Sequence, residues 1–167
     1  MCHCTGQFAA RGYDFDTNAA LRHLRLTVCI DPSELGGDWL ELVATLRAAF
    51  STIRSHNLER ITVDIGIELG QADRLDEDML VPPREELVPD TEELHSVMVL
   101  PYFYALQHVV VGMEVRYNQE WHSSEEGVHD AVQALLVPVC RQSFAPWLDR
   151  GIVNIFCTAS TTGGINL

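Results

Sequence analysis

The residues best equipped for chemistry are five cysteines and seven histidines, and their spacing decides what they can do. Cys2, His3 and Cys4 are soft-metal ligands in a row. Two cysteines one residue apart, however, lack the spacing of zinc sites and have no second pair, so the cluster reads as part of an unordered terminus. His122 and His129 bracket Glu125 and Glu126. On a helix, a separation of seven sets the imidazoles two turns apart, too far to share one ion without another element between them. Acids at a helix start are accounted for by the helix dipole. No metal and no cofactor is therefore assigned. Cys29 with His23, or Cys140 with His129, can be written as nucleophile and base. Yet Cys29 falls at an outward strand position and Cys140 and Cys157 lie near element ends, where packing accounts for the thiols. The stretch TASTTGG, Thr158 to Gly164, has the composition of a phosphate loop, but only three residues follow it and no helix can present its amides. No catalytic residue is assigned.

Charge narrows the function classes further. All eleven basic residues are arginine, so a P-loop lysine, a Schiff-base lysine and a lysine general base are excluded. The formal charge of −13 repels phosphate backbones and anionic lipid headgroups, and neither nucleic acid nor membrane is an expected partner. The opening MCHCTGQFAARGYDFD has neither the basic start nor the apolar run of a signal peptide. Every apolar stretch is well short of the ~18 residues that span a bilayer. An intracellular protein, cytoplasmic or nuclear, with reduced core cysteines is expected. At 167 residues, one domain with a core of real size is the natural expectation.

The elements that would position any site emerge from a repeat. LRHLRLTVCI places Leu21, Leu24, Leu26, Val28 and Ile30 at the same offsets as Leu58, Ile61, Val63, Ile65 and Ile67 of LERITVDIGI. Leu106, Val109, Val111, Met113 and Val115 of LQHVVVGMEV repeat the pattern. After each leading leucine the apolar residues alternate, as in a strand with one buried face. A weaker copy, WLDRGIVNIFCTA, has Ile152, Val153, Ile155 and Cys157 after Trp147 and Leu148, with its register slipped by about one residue and its polar alternation lost. The leading leucines stand 37, 48 and 42 residues apart, leaving room for one helix in each interval. Asp38 is expected to cap the first, whose stripe is Trp39, Val43, Leu46, Phe50 and Ile53. The second begins near Thr91, carries Leu94, Val97, Met98 and Leu100 and stops before Pro101. Ser123 with Glu126 opens the third, with Val128, Val132, Leu135 and Val139 as its stripe and Pro138 kinking or ending it.

Alternating strands and helices predict an α/β fold, a leucine-rich-repeat-like array of strand-helix units with a parallel sheet of about four strands and helices mainly on one face. Residues 1–20 form a poorly ordered segment, 21–158 the domain and 159–167 a tail. Within the domain, 69–90 is an acidic loop. From Asp64 to Glu93, eleven acids against two arginines leave −9. The other sheet face stays open and presents Arg25, Thr27, Thr62, Asp64, Val110, Gly112, Glu114 and Arg116. Of these, Arg25, Thr27, Thr62, Asp64, Glu114 and Arg116 are the candidate partner-binding residues, suited to a polar protein. Tyr102, Phe103 and Tyr104, with Trp121 and Trp147, form either an aromatic patch or covered core. Open array ends make self-association possible. The competing class is a small α/β enzyme or small-molecule-binding protein, with a site at the carboxyl ends of the strands around Asp31, Glu68, Asn118 and Thr158.

The leucine-led strand after a tryptophan-headed helix in DWLELVATLRAAFSTIRSHNLERITVDI resembles the repeat region of F-box-like proteins of basidiomycete fungi. LHSVMVLPYFYALQHVVVGMEV and FAPWLDRGIVNIF, with Arg150 and Gly151 ahead of the last strand, are similar to the terminal repeats of that family. The resemblance covers roughly residues 20 to 158. It implies a non-enzymatic, substrate-recognising protein–protein interaction module. In the full-length family an F-box joins such repeats to an SCF ubiquitin ligase through Skp1. The first twenty residues here hold no leucine-proline-led F-box segment, so that link belongs to a longer form carrying one.

Overall fold

The computed structural model describes residue 15 and residues 18–30, 35–69, 91–117 and 125–161. Four strands, β1 (His23–Ile30), β2 (Arg60–Leu69), β3 (His108–Tyr117) and β4 (Val153–Thr161), form one sheet in the order β1-β2-β3-β4. All three pairings are parallel. Parallel neighbours need crossovers. Helices occupy the intervals: α1 (Leu35–Ser51), α2 (Glu92–Met98), and α3 (Glu125–Ser143) with the short α4 (Ala145–Leu148). A 3₁₀ turn, Pro101–Phe103, precedes β3. The chain is an α/β protein of strand-helix units.

The repeat offsets are the pairing register. Leu24 pairs with Ile61 and Ile61 with Val109, and the same holds along Leu26, Val63 and Val111 and along Val28, Ile65 and Met113. All nine side chains are buried, along with the leading residues Leu58 and Leu106. Against this face pack Leu42, Val43, Leu46, Phe50 and Ile53 from α1 and its C-terminal exit, Leu94 and Met98 from α2, and Leu136 and Cys140 from α3. Trp147 closes the layer. Its ring lies 5.3 Å from both Phe50 and Phe103, and its indole N–H donates to the Met98 carbonyl at 3.0 Å.

Several expectations are corrected. Helix α1 starts at Leu35, so Asp38 lies within its first turns and is not its cap. Gly36 and Gly37 are tolerated there because the apolar stripe further on supplies the packing that propensity does not. Thr91 occupies the N-cap of α2, but its hydroxyl makes no capping hydrogen bond, and its carbonyl accepts from the His95 amide at 2.8 Å. Pro138 does not end α3, which continues to Ser143. The buried line along its last turns is Leu136, Cys140 and Ser143, with Val139 only half-buried. The side chains of Trp39, Val128, Val132 and Leu135 lie outside the described residues.

Strand β4 is displaced by two residues from its leading leucine, not one, because Val153 pairs with Val109 and Ile155 with Val111. Its alternation is kept: Asn154, Phe156 and Thr158 are exposed and Val153, Ile155 and Cys157 half-buried. It also runs to Thr161, past the expected boundary at 158, and Leu69 belongs to β2 rather than to the acidic loop. Residues 70–90 lie outside the described residues, as do 162–167. The described part of the N-terminal segment is docked: the Phe15 amide donates to Thr52 Oγ1 at 3.2 Å, and the Ser55 hydroxyl donates to the carbonyls of Ala19 and Leu21.

Candidate functional site: the open sheet face

One face of every strand is covered by the helical layer, and the other carries the outward residues in cross-strand rows. The first row is His23, Arg60 and His108, all exposed. Next come Arg25, Thr62, Val110 and Asn154, then Thr27, Asp64, Gly112 and Phe156, then Cys29, Gly66, Glu114 and Thr158. Glu68, Arg116 and Ser160 complete the lattice on β2, β3 and β4. All six candidate partner-binding residues are thus on one surface. Strand alternation alone put them there.

Arg25 reaches diagonally to Asp64, with Nε 2.6 Å from Oδ2. Arg116 grips Glu114 through two hydrogen bonds, at 3.1 and 2.9 Å, and its other terminal nitrogen lies 3.8 Å from Glu68. The hydrogen bond from Arg116 holds the Glu114 carboxyl below its usual range; desolvation opposes it, and the Arg116 charge and a bond from Ser160 add smaller contributions in the same direction as the first. Exposed pairs of this kind contribute only about 0–1 kcal/mol. Their consequence is presentation: the guanidinium and carboxylate groups are held in register on an accessible surface.

Gly112 is outward but covered. A Cβ built there would sit 2.8 Å from Phe156 Cζ, because the Phe156 ring lies over this glycine. Phe156 remains 44% exposed, the single large apolar group that the described open face presents. Gly66, where a Cβ would meet Cys29 Sγ at 3.7 Å and the Val28 carbonyl at 3.9 Å, leaves a shallow step beside Glu114.

The remaining candidate residues separate cleanly. Cys29 is exposed on the open face rather than in the core, and it is six residues from His23 along one strand, about 20 Å. Cys140 is buried, with its thiol 3.6 Å from Met113 Sδ. Burial, and secondarily Cys157, pushes that thiol up to about 12, so it stays protonated and is a core group. Phe103 and Trp147 are core, whereas Tyr104 is 73% exposed. Cys2, His3, Cys4, Asp31, Asn118, Trp121 and His122, and the side chains of Glu125, Glu126 and His129, lie outside the described residues. Among the described residues no group of three or more His, Cys, Asp or Glu is placed to hold a metal ion. No described helix is long and apolar enough to cross a membrane.

Two clefts lie away from the sheet face. One, of about 390 Å³, is lined by Met98, Val99, Tyr104, Pro146, Trp147 and Arg150. The Arg150 guanidinium there is occupied by the carbonyls of Phe103, Tyr104 and Leu106 at 3.0, 3.4 and 2.9 Å. The other, of about 440 Å³, lies along α3 between Asp130 and Arg141. Sequence reasoning missed the clamp role of Arg150 and the placement of Phe156. The signal for Arg150 was its position three residues before Val153, the first inward residue of β4, the slot that Leu21, Leu58 and Leu106 fill ahead of Leu24, Ile61 and Val109.

No family model, no curated protein and no solved structure matches this chain.

Proposed function

We propose that the chain is a non-enzymatic protein–protein interaction module, leucine-rich-repeat-like in plan, which reads a polar protein partner with its open sheet face. The strand order carries this reading. In open α/β sheets that bind small molecules, the crevice forms where the strand order reverses. Here the order follows the chain from β1 to β4 without a reversal, as in arrays that stack one unit on the next and recognise partners with an extended surface. The alternating Arg25–Asp64 and Arg116–Glu114 pairs suit a partner of mixed charge. The likeness to basidiomycete F-box repeats supports the same role, substrate recognition, with Skp1 engaged only by a longer form.

The test is affinity capture from a basidiomycete extract with the wild-type chain and with an Asp64→Arg, Arg116→Glu double variant. A protein retained by the wild type and lost, at least tenfold, by the folded variant is the expected result. Equal retention by both, or capture of nothing together with turnover of a small molecule, contradicts the proposal.

A further inference from the structure

The two edges of the sheet are finished differently. On β1 the inward side chains Leu24, Leu26, Val28 and Ile30 are only 3–6% exposed, and the outward row carries His23 and Arg25. On β4 the inward residues Val153, Ile155, Cys157 and Ala159 pack on the core but are only partly buried. The strand VNIFCTAST holds no charged residue and no proline, and its register runs unbroken from Val153 to Thr161, without a bulge. Charges, prolines and bulges are among the devices that protect free edges, and β4 has none of these three.

The Ile152 carbonyl accepts from the Val109 amide at 2.8 Å. Strand alternation then turns the backbone groups of even-numbered residues toward β3 and those of Val153, Ile155, Cys157 and Ala159 toward the outer edge. Among the described residues no strand pairs with that edge.

We propose that a second copy of this chain covers it: two β4 strands pair antiparallel across a two-fold axis at Cys157, joining two four-stranded sheets into one of eight. Two observations select a twin as the occupant. In a chain of charge −13, two copies repel over most approaches, whereas an uncharged β4 meets itself without like-charge opposition. The strand is also its own complement about Cys157. Ile155 of each copy faces the small Ala159 of the other, Phe156 faces Thr158, and Asn154 faces Ser160. Such a contact closes on itself as a dimer. It leaves the outward rows of both copies on one continuous surface.

Light scattering on the purified full chain tests this. The expected mass is twice the 18.7 kDa of one chain. Two variants should halve it while leaving the circular dichroism unchanged. Ala159→Pro removes an outward amide hydrogen at an edge position that tolerates proline. Thr158→Lys puts a charge on an exposed site facing the other copy's Phe156. A short thiol cross-linker should join two chains in a Cys2→Ser, Cys4→Ser, Cys29→Ser variant and fail once Cys157→Ser is added. A single-chain mass at every concentration, a dimer that survives both variants, or cross-linking that does not depend on Cys157 overturns the proposal.

Discussion

At Gly112 the open face has room for a hydrogen and little more, because the Phe156 ring occupies the space a Cβ would need. The obstructing atoms are the far end of one side chain on an edge strand, so a larger residue displaces the ring rather than the backbone. Gly112→Val should therefore change stability by less than about 1 kcal/mol, the gain in strand propensity offsetting the lost contact. Urea denaturation checks this, and a loss of several kcal/mol would mean the ring is fixed. Sequence placed Gly112 outward correctly, but no sequence signal reveals that a ring from the neighbouring β4 lies across it. Cys140 supplies a second test. Its folded pKa is raised to about 12, while an unfolded thiol titrates near about 8.5. The folded state therefore keeps a proton that the unfolded state releases. This contribution is full below about pH 8.5 and is lost as pH rises from there toward 12. Stability measured across that window should fall, and Cys140→Ala should flatten the fall while lowering stability throughout.

The elements were legible where hydrophobic spacing is strict and illegible where backbone details decide. The offsets of Leu24, Ile61 and Val109 are the observed register because parallel strands covered on one face must align their buried residues. Strand β4 escaped the offset rule because Arg150 stands in the leucine slot and works by hydrogen bonds to three carbonyls rather than by burial. Gly151 beside it has φ +70°, a left-handed turn that favours glycine. Arg150→Ala should cost about 1–2 kcal/mol, since charge-assisted bonds to carbonyls are lost at a partly exposed site. Equal stability in chemical denaturation would show the clamp to be ornamental. In α3, packing overrides the local penalty of Pro138, whose ring nitrogen cannot donate to the preceding turn. Pro138 is exposed, so Pro138→Ala should raise stability by about 1–3 kcal/mol in the same assay.

Across the whole molecule, four parallel strands in chain order divide the surface into a helical side and a lattice of polar rows. That division was readable from three aligned segments, because alternation in a parallel sheet implies one covered face and one open face. The positions of Asp31 and Asn118 bear on the competing site and are outside the described residues, and periodicity never constrained them, since neither falls within a repeat. The proposed function requires a partner to dock on the polar lattice. Carbodiimide labelling of carboxylates, quantified by mass spectrometry with and without the captured partner, reports on that docking residue by residue. Protection of Asp64, Glu68 and Glu114 on the strands, with Glu41 on α1 labelled as before, is the predicted result. Protection of Glu41 with the three strand carboxylates unchanged would contradict it.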